Sequence, residues 1–175
     1  MSSTRGIDFA TLTLKDALDL AVFIEEEACE RYGEFADQME MHDTQDAARF
    51  FRYMVENEEK HRSELAERRR ELFGDAPTAV SRAMIFDVEA PEYDEARAFM
   101  TLREALNAAM RSEEKAHAFF VAALPRIKDA SVRELFEELC AEEVEHKRLV
   151  QVEIDKAPPD PKIASKEFAD EPVGE

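Results

Sequence analysis

Two copies of a Glu-x-x-His pattern give this chain its clearest candidates for chemistry. Glu58 precedes His61 by three residues, and Glu143 precedes His146 by the same spacing. On a helix this spacing puts both side chains on one face, one turn apart. Carboxylate and imidazole groups together bind divalent transition metals. The two segments also align with each other at an offset of 85 residues. Two such pairs predict a metal site built from helices.

Two more carboxylates fall on apolar helix faces elsewhere in the chain. The segments Thr13–Leu18 and Thr101–Leu106 are similar at an offset of 88 residues, and the same offset places Glu25 on Glu113. Both glutamates continue the apolar stripe of their helix at steps of three or four residues. The chain therefore contains two related helix pairs. The other acids near these positions are predicted to be solvated: Glu26, Glu27, Glu30, Glu59, Glu114, Glu142 and Glu145.

The hydrophobic periodicity predicts four helices that position these groups. The first begins near Thr13, the second ends at about Phe73 and the third begins at about Thr101, while Ser131–Glu134 has the pattern of a capping box for the fourth. Adjacent antiparallel helices need only a few connecting residues, whereas about 25 separate the second from the third. The predicted fold is therefore an all-α, antiparallel four-helix bundle with a long crossover between helices 2 and 3.

The composition supports one helical domain and argues against several classes of partner. The 175 residues are 45% hydrophobic, which is enough for a single core. We expect the bundle to occupy residues 1–157 and residues 158–175 to form a disordered, Pro-rich acidic tail. The chain has no apolar run of membrane-spanning length and no apolar signal region, so we expect a soluble, cytoplasmic protein. A net charge of −18 argues against binding to nucleic acid or anionic membranes.

Packing the four apolar stripes together would bring four carboxylates to one level of the bundle interior. A buried charge costs several kcal/mol even after relaxation, and like charges repel or take up protons. Two divalent cations would cancel the four negative charges. One Glu from each of two helices and one Glu-x-x-His from each of the other two is the ligand set of di-iron and di-manganese carboxylate bundles. The alternative is a metal-free bundle with protonated or water-bridged acids.

The same motifs resemble the rubrerythrin-like branch of the ferritin-like superfamily over about residues 11–156. The residues that carry the resemblance are Glu25–Tyr32, Glu58–His61, Glu113 and Glu143–His146. The resemblance implies a ferritin-like bundle with a left-handed crossover, a non-haem di-iron centre and often a homodimer. It further implies that Glu58 and Glu143 bridge the two metals. The terminal ligands of the two metals would then be Glu25 with His61, and Glu113 with His146.

The chain departs from rubrerythrins proper in two ways. It has no rubredoxin domain, because its two cysteines, Cys29 and Cys140, form no Cys-x-x-Cys pair. The position one turn after Glu113 is Ala116, where rubrerythrins carry a further Glu that lets an iron shift on oxidation. Both departures weigh against efficient peroxide reduction of the rubrerythrin type.

Four residues near the predicted site have two interpretations each. Tyr32 can hydrogen-bond a ligand carboxylate or simply pack in the core. His117, four residues after Glu113, can act as a replacement ligand or occupy a polar pocket at the edge of the stripe. Cys29 and Cys140 can line the site as small apolar fillers or take part in redox chemistry.

The leading functional hypothesis is a di-iron oxidoreductase. Two iron ions, with manganese as the other candidate metal, would bind to the six residues and react with O₂ or H₂O₂, in iron handling or oxidative-stress defence. The electron donor is unknown. One alternative is an iron sensor or buffer without turnover, and another is a structural bundle without metal.

Overall fold

Four long helices dominate the computed structural model, which describes residues 6–92 and 99–160. The helices are α1 (Leu14–Met41), α2 (Gln45–Phe73), α3 (Leu102–Ala123) and α4 (Ala130–Lys156). Short 3₁₀ turns occur at Arg82–Met84 and Leu124–Arg126, and the described residues contain no β-strand. Helix α1 packs mainly on α2, and α3 on α4, as expected for helices joined by short turns. The predicted all-α four-helix bundle is confirmed.

The first and third helices begin where the sequence places them. The Thr13 hydroxyl accepts a hydrogen bond from the backbone N–H of Asp16. Thr101 and Glu104 form a reciprocal capping box, in which each side chain accepts from the backbone N–H of the other residue. Both caps satisfy N–H groups that a helix leaves without partners in its first turn.

The predicted capping box at Ser131–Glu134 is wrong. Helix α4 begins earlier, at Ala130, and its cap is Asp129, whose carboxylate accepts from the N–H groups of Ser131 and Val132. An ionised carboxylate satisfies two N–H groups at once and is stabilised by the positive end of the helix dipole. The Asp129 cap therefore takes the place that the sequence pattern gave to the Ser131 hydroxyl.

The core of the described residues consists of two apolar clusters. The first contains Leu18, Phe120 and Phe136 among its members, and the second contains Tyr32 and Phe51. In each long helix, the predicted ligands lie between the residues that feed the first cluster and those that feed the second. The bundle thus holds its polar residues in a layer with apolar packing above and below.

The long connection between α2 and α3 packs back onto the bundle. Its residues Ile85, Val88 and Ala90 are buried, and the first two belong to the first apolar cluster. The connection spans residues 74–101, of which 93–98 lie outside the described part of the chain. Most of the predicted tail, residues 161–175, also lies outside it. None of the described helices is both long and apolar enough to cross a membrane.

Candidate metal centre

The six predicted ligands occupy all four helices. Their carboxyl groups are almost completely buried, and Glu58 and Glu113 have no exposed surface at all. His146 is buried, whereas His61 is only half-buried and lies at the edge of the layer. The positions are Glu25 on α1, Glu58 and His61 on α2, Glu113 on α3, and Glu143 and His146 on α4.

Donor atoms from three helices and the crossover converge on two overlapping groups. In the first group, one donor atom from each of Glu58, His61 and His146 lies within 4.8 Å of the others. The second group, under the same criterion, consists of Glu58, Glu89, Glu113 and His146. Glu58 and His146 belong to both groups. This spacing is compatible with metal ions bound between the helices, because ligands of one ion lie within a few ångströms of each other.

Glu25 and Glu143 lie beside these groups rather than within them. The charge of Glu25 raises the pKa of Glu58, and the charge of Glu113 raises the pKa of Glu143, in each case in addition to the effect of burial. An oxygen of Glu143 is also 3.9 Å from Nδ1 of His146. All six predicted ligands are therefore in one neighbourhood, and their assignment as ligands stays a prediction.

The two histidine rings face each other across the layer. The rings of His61 and His146 are nearly parallel, at 9°, with their centroids 4.7 Å apart. Nδ1 of His146 is 3.1 Å from Oε2 of Glu113. Burial lowers the pKa of His146, but the hydrogen bond and negative charge of Glu113 outweigh burial and raise it overall. Burial and the neighbouring His146 lower the pKa of His61.

The buried carboxyls lack the partners that buried charge requires. Both side-chain oxygens of Glu58, Oε2 of Glu25 and Oε2 of Glu143 have no hydrogen-bond donor among the described residues, and neither does Nδ1 of His61. Burial, followed by repulsion from Glu89, raises the pKa of Glu25, Glu58 and Glu143 well above its ordinary value. Carboxylates and imidazoles without donors are suited to cations, so the residues fit a bound metal.

Sequence reasoning missed Glu89, an acid of the crossover that lies inside the site. Its side chain is 1% exposed, and neither of its oxygens has a hydrogen-bond partner among the described residues. Burial and the charge of Glu113 raise its pKa to about 7. Glu89 belongs to no helical stripe and has no counterpart in the internal repeat, so neither signal could find it. On α3, the residue one turn after Glu113 is Ala116, which is buried and has no carboxyl group. The fifth buried carboxyl of the layer is that of Glu89, and it comes from the crossover.

Three of the acids predicted to be solvated are partly or fully buried. Glu27 is buried, accepts a hydrogen bond from the backbone N–H of Asp87, and lies 3.8 Å from Arg31. The crossover covers this part of α1, which the helical period alone could not show. Glu142 is half-buried, with its pKa raised mainly by burial. Glu26 is partly buried. The remaining acids are exposed, as predicted: Glu30, Glu59, Glu114 and Glu145.

Tyr32 supports the site directly. It is completely buried, and its hydroxyl donates a hydrogen bond of 3.3 Å to Oε1 of Glu113. Burial raises the pKa of Tyr32, so the hydroxyl stays protonated and remains a donor. His117 joins neither donor group. The thiol of Cys29 donates to the carbonyl of Val55, and burial raises its pKa to about 12, which suits a packing role better than thiolate chemistry.

Comparison with known proteins identifies the family. The family model described as rubrerythrin matches residues 16–154, which include all four helices almost completely. The chain belongs to the rubrerythrin family. Among solved structures, this rubrerythrin-family chain is similar to an uncharacterised conserved protein from Magnetospirillum magnetotacticum MS-1, with 31% identity and a TM-score of 0.65. The match covers 86% of this chain and 99% of that one. No curated protein matches the chain significantly.

Proposed function

We propose that this rubrerythrin-family protein binds two iron ions and oxidises bound Fe(II) with O₂ or H₂O₂, in iron handling or oxidative-stress defence. The observation that carries the proposal is the convergence of donor atoms of Glu58, Glu113 and His146 within a buried layer. Several carboxyl oxygens of that layer have no hydrogen-bond donor among the described residues. Six ligands of this kind match the pattern of di-iron carboxylate bundles. When bound, the iron pair supplies the redox chemistry.

In this function the protein supplies the carboxylates that bind the metal ions and keeps water away from them. Glu58 stands at the centre, since it belongs to both donor groups and neighbours Glu25. The aromatic rings of Phe51, Phe120 and Phe136 are buried in the clusters on either side of the layer. A dry surrounding strengthens the electrostatic interactions of the carboxylates with cations and limits side reactions of an oxidant with water-exposed groups.

A surface cavity lies beside His61. This cavity of about 130 Å³ between α2 and α4 is lined by His61, with Leu65 and Leu139 on its apolar side and Glu64 and Glu142 among its acids. A cavity of this size admits a molecule as small as O₂ or H₂O₂. Its lining includes three glutamates and one arginine, Arg68, so its net negative charge attracts cations. We therefore propose that Fe(II) and the oxidant enter at the half-buried histidine.

Anaerobic titration of the metal-free protein with Fe(II), followed by O₂ or H₂O₂ in separate samples, tests the proposal. We expect saturation near two irons per chain and ferric absorbance in the near ultraviolet after oxidation. The faster oxidant identifies the substrate. The variant Glu58→Gln is expected to lose iron binding, whereas Glu145→Gln, an exposed acid of α4, is expected to keep it. Absence of iron binding by the unmodified protein would overturn the proposal, and a parallel titration with Mn(II) tests the other metal.

Repeated addition of oxidant separates catalysis from storage. An oxidoreductase, supplied with a reductant, turns over with each addition. A sensor or buffer oxidises its bound iron once and then stops. If the bound iron is oxidised once and no turnover follows, the metal site stands, but the protein binds iron and is not an enzyme.

A further inference from the structure

We propose that Glu89 is a further ligand of the metal centre, supplied by the crossover between α2 and α3 rather than by a bundle helix. The inference rests on the proposed function of the layer as a metal site. It goes beyond the six helix residues, because it brings a fifth carboxylate and a fifth chain segment into the centre.

The position of the Glu89 side chain is that of a ligand. One of its oxygens lies within 4.8 Å of donor atoms of Glu58, Glu113 and His146, which come from three different helices. The side chain is 1% exposed, and both of its oxygens lack a hydrogen-bond partner among the described residues. A buried carboxylate that serves only structure is normally hydrogen-bonded or paired with a cation. Glu89 instead lies between two other acids and His146, and none of these groups donates a hydrogen bond to it.

The backbone on both sides of Glu89 is held in place. Before it, the N–H of Asp87 donates to the carboxylate of Glu27 on α1, at 3.1 Å. Asp87 has a φ of 56°, in the left-handed region that non-glycine residues adopt at a local cost. The crossover therefore makes a fixed turn just before Glu89, and that turn directs the next residues toward the bundle.

Two cationic side chains hold the backbone that follows Glu89. Lys115 Nζ on α3 donates to the carbonyl of Ala90 at 2.8 Å, and Arg31 on α1 donates to the carbonyl of Pro91. Both of these cations bond to crossover carbonyls, one and two residues past Glu89, and thereby tie the segment to two helices. We call the contacts of Glu27, Arg31 and Lys115 with the crossover the clamp. The clamp fixes the backbone around Glu89 and makes no hydrogen bond with the Glu89 carboxylate.

A fifth carboxylate changes the charge balance of the centre. Four carboxylates neutralise two divalent cations, whereas five leave one excess negative charge with two divalent cations and one excess positive charge with two trivalent cations. Negative charge beside a metal stabilises its higher oxidation state. Glu89 thus favours ferric over ferrous iron, and its removal is expected to raise the reduction potential of the iron pair.

The test uses Glu89→Gln in the full-length protein, with Glu92→Gln as the matched control. Glu92 lies three residues further along the same crossover and is exposed, so its substitution removes one charge without touching the layer. Anaerobic Fe(II) titration is expected to show at least a tenfold weaker affinity for one iron in Glu89→Gln and unchanged binding in Glu92→Gln. Redox titration of the loaded proteins is expected to show a higher reduction potential for Glu89→Gln only.

The outcomes distinguish this inference from the proposed function. If the unmodified protein binds no iron, the proposed function fails. If it binds two irons and Glu89→Gln binds them with the same affinity and potential, the function stands and Glu89 is not a ligand. Because Gln has nearly the same size as Glu and removes a charge from a crowded acidic layer, the metal-free variant is expected to unfold at a higher temperature than the unmodified protein. Glu89→Asp, which keeps the carboxylate, is expected to recover part of the lost affinity.

Discussion

Nδ1 of His146 on α4 lies 3.1 Å from Oε2 of Glu113 on α3, and this contact spans one of the two helix pairs of the bundle. The same carboxyl group accepts a hydrogen bond from Tyr32 on α1 through its other oxygen. Glu113 thus connects three helices at the level of the site. In the metal-free protein the raised pKa of His146 favours the imidazolium, which carries a proton on both ring nitrogens, and a metal that binds to the ring competes with one of these protons.

Metal affinity should therefore depend on pH. The pKa values of Glu25, Glu58, Glu143 and His146 are all raised, so these groups hold protons that a cation must expel. Each proton released per metal bound changes the apparent affinity by about tenfold per pH unit. We expect Mn(II) or anaerobic Fe(II) to bind more tightly at pH 8 than at pH 6, with measurable acidification of a weakly buffered solution. Affinity that is equal at the two pH values would contradict the proton-metal competition.

The stability of the metal-free protein should fall as the pH rises. Buried carboxyls such as Glu58 and Glu89 have pKa values above 4.5, the ordinary value of Glu, and that of Glu89 reaches about 7. The folded chain then holds protons that the unfolded chain has already released, so unfolding becomes easier as the pH rises from about 4.5 through 7. Thermal unfolding in the presence of a chelator measures this effect.

Glu58→Gln isolates the contribution of one carboxyl to this pH dependence. The variant lacks a titrating group in the layer but keeps the histidines, whose own titration cancels in the comparison. We expect its melting temperature in chelator to exceed that of the unmodified protein, by a difference that grows between pH 5 and pH 8. A difference that stays constant or shrinks with pH would show that Glu58 is ionised in the metal-free fold.

Tyr32→Phe should weaken metal binding while leaving the fold intact. The substitution removes only the hydroxyl that donates to Glu113, and the ring still packs on Phe51 at a centroid distance of 6.0 Å. Loss of a hydrogen bond to a ligand carboxylate typically costs about 10-fold to 100-fold in metal affinity. Tyr53→Phe, at an exposed tyrosine of α2, is the matched control. Equal Fe(II) affinities of the two variants would assign Tyr32 to core packing alone.

The helical part of the site could be predicted because its signals are local and duplicated. Glu25 and Glu113 stand out from neighbouring acids only because each satisfies both the helical period and the repeat. Glu89 satisfies neither, since the path of the crossover is set by contacts with α1 and α3 that are distant in sequence. The burial of Glu27 has the same cause. Periodicity describes the face that a helix turns to its bundle, but not the surface that a long connection later covers.

The clamp supplies a last prediction, which concerns positioning rather than direct ligation. Lys115→Met removes the hydrogen bond to the carbonyl of Ala90 but leaves every carboxylate of the site in place. If this bond helps to hold Glu89 in the layer, the variant should show a smaller version of the Glu89→Gln effect, with weaker Fe(II) affinity and faster backbone hydrogen exchange at residues 85–91. Lys128→Met, at an exposed lysine between α3 and α4, controls for the loss of positive charge. In the double variant Lys115→Met, Glu89→Gln, the two losses of affinity should combine to less than their sum, because both act through the same carboxylate. Fully additive losses would mean that Lys115 acts on the site independently of Glu89.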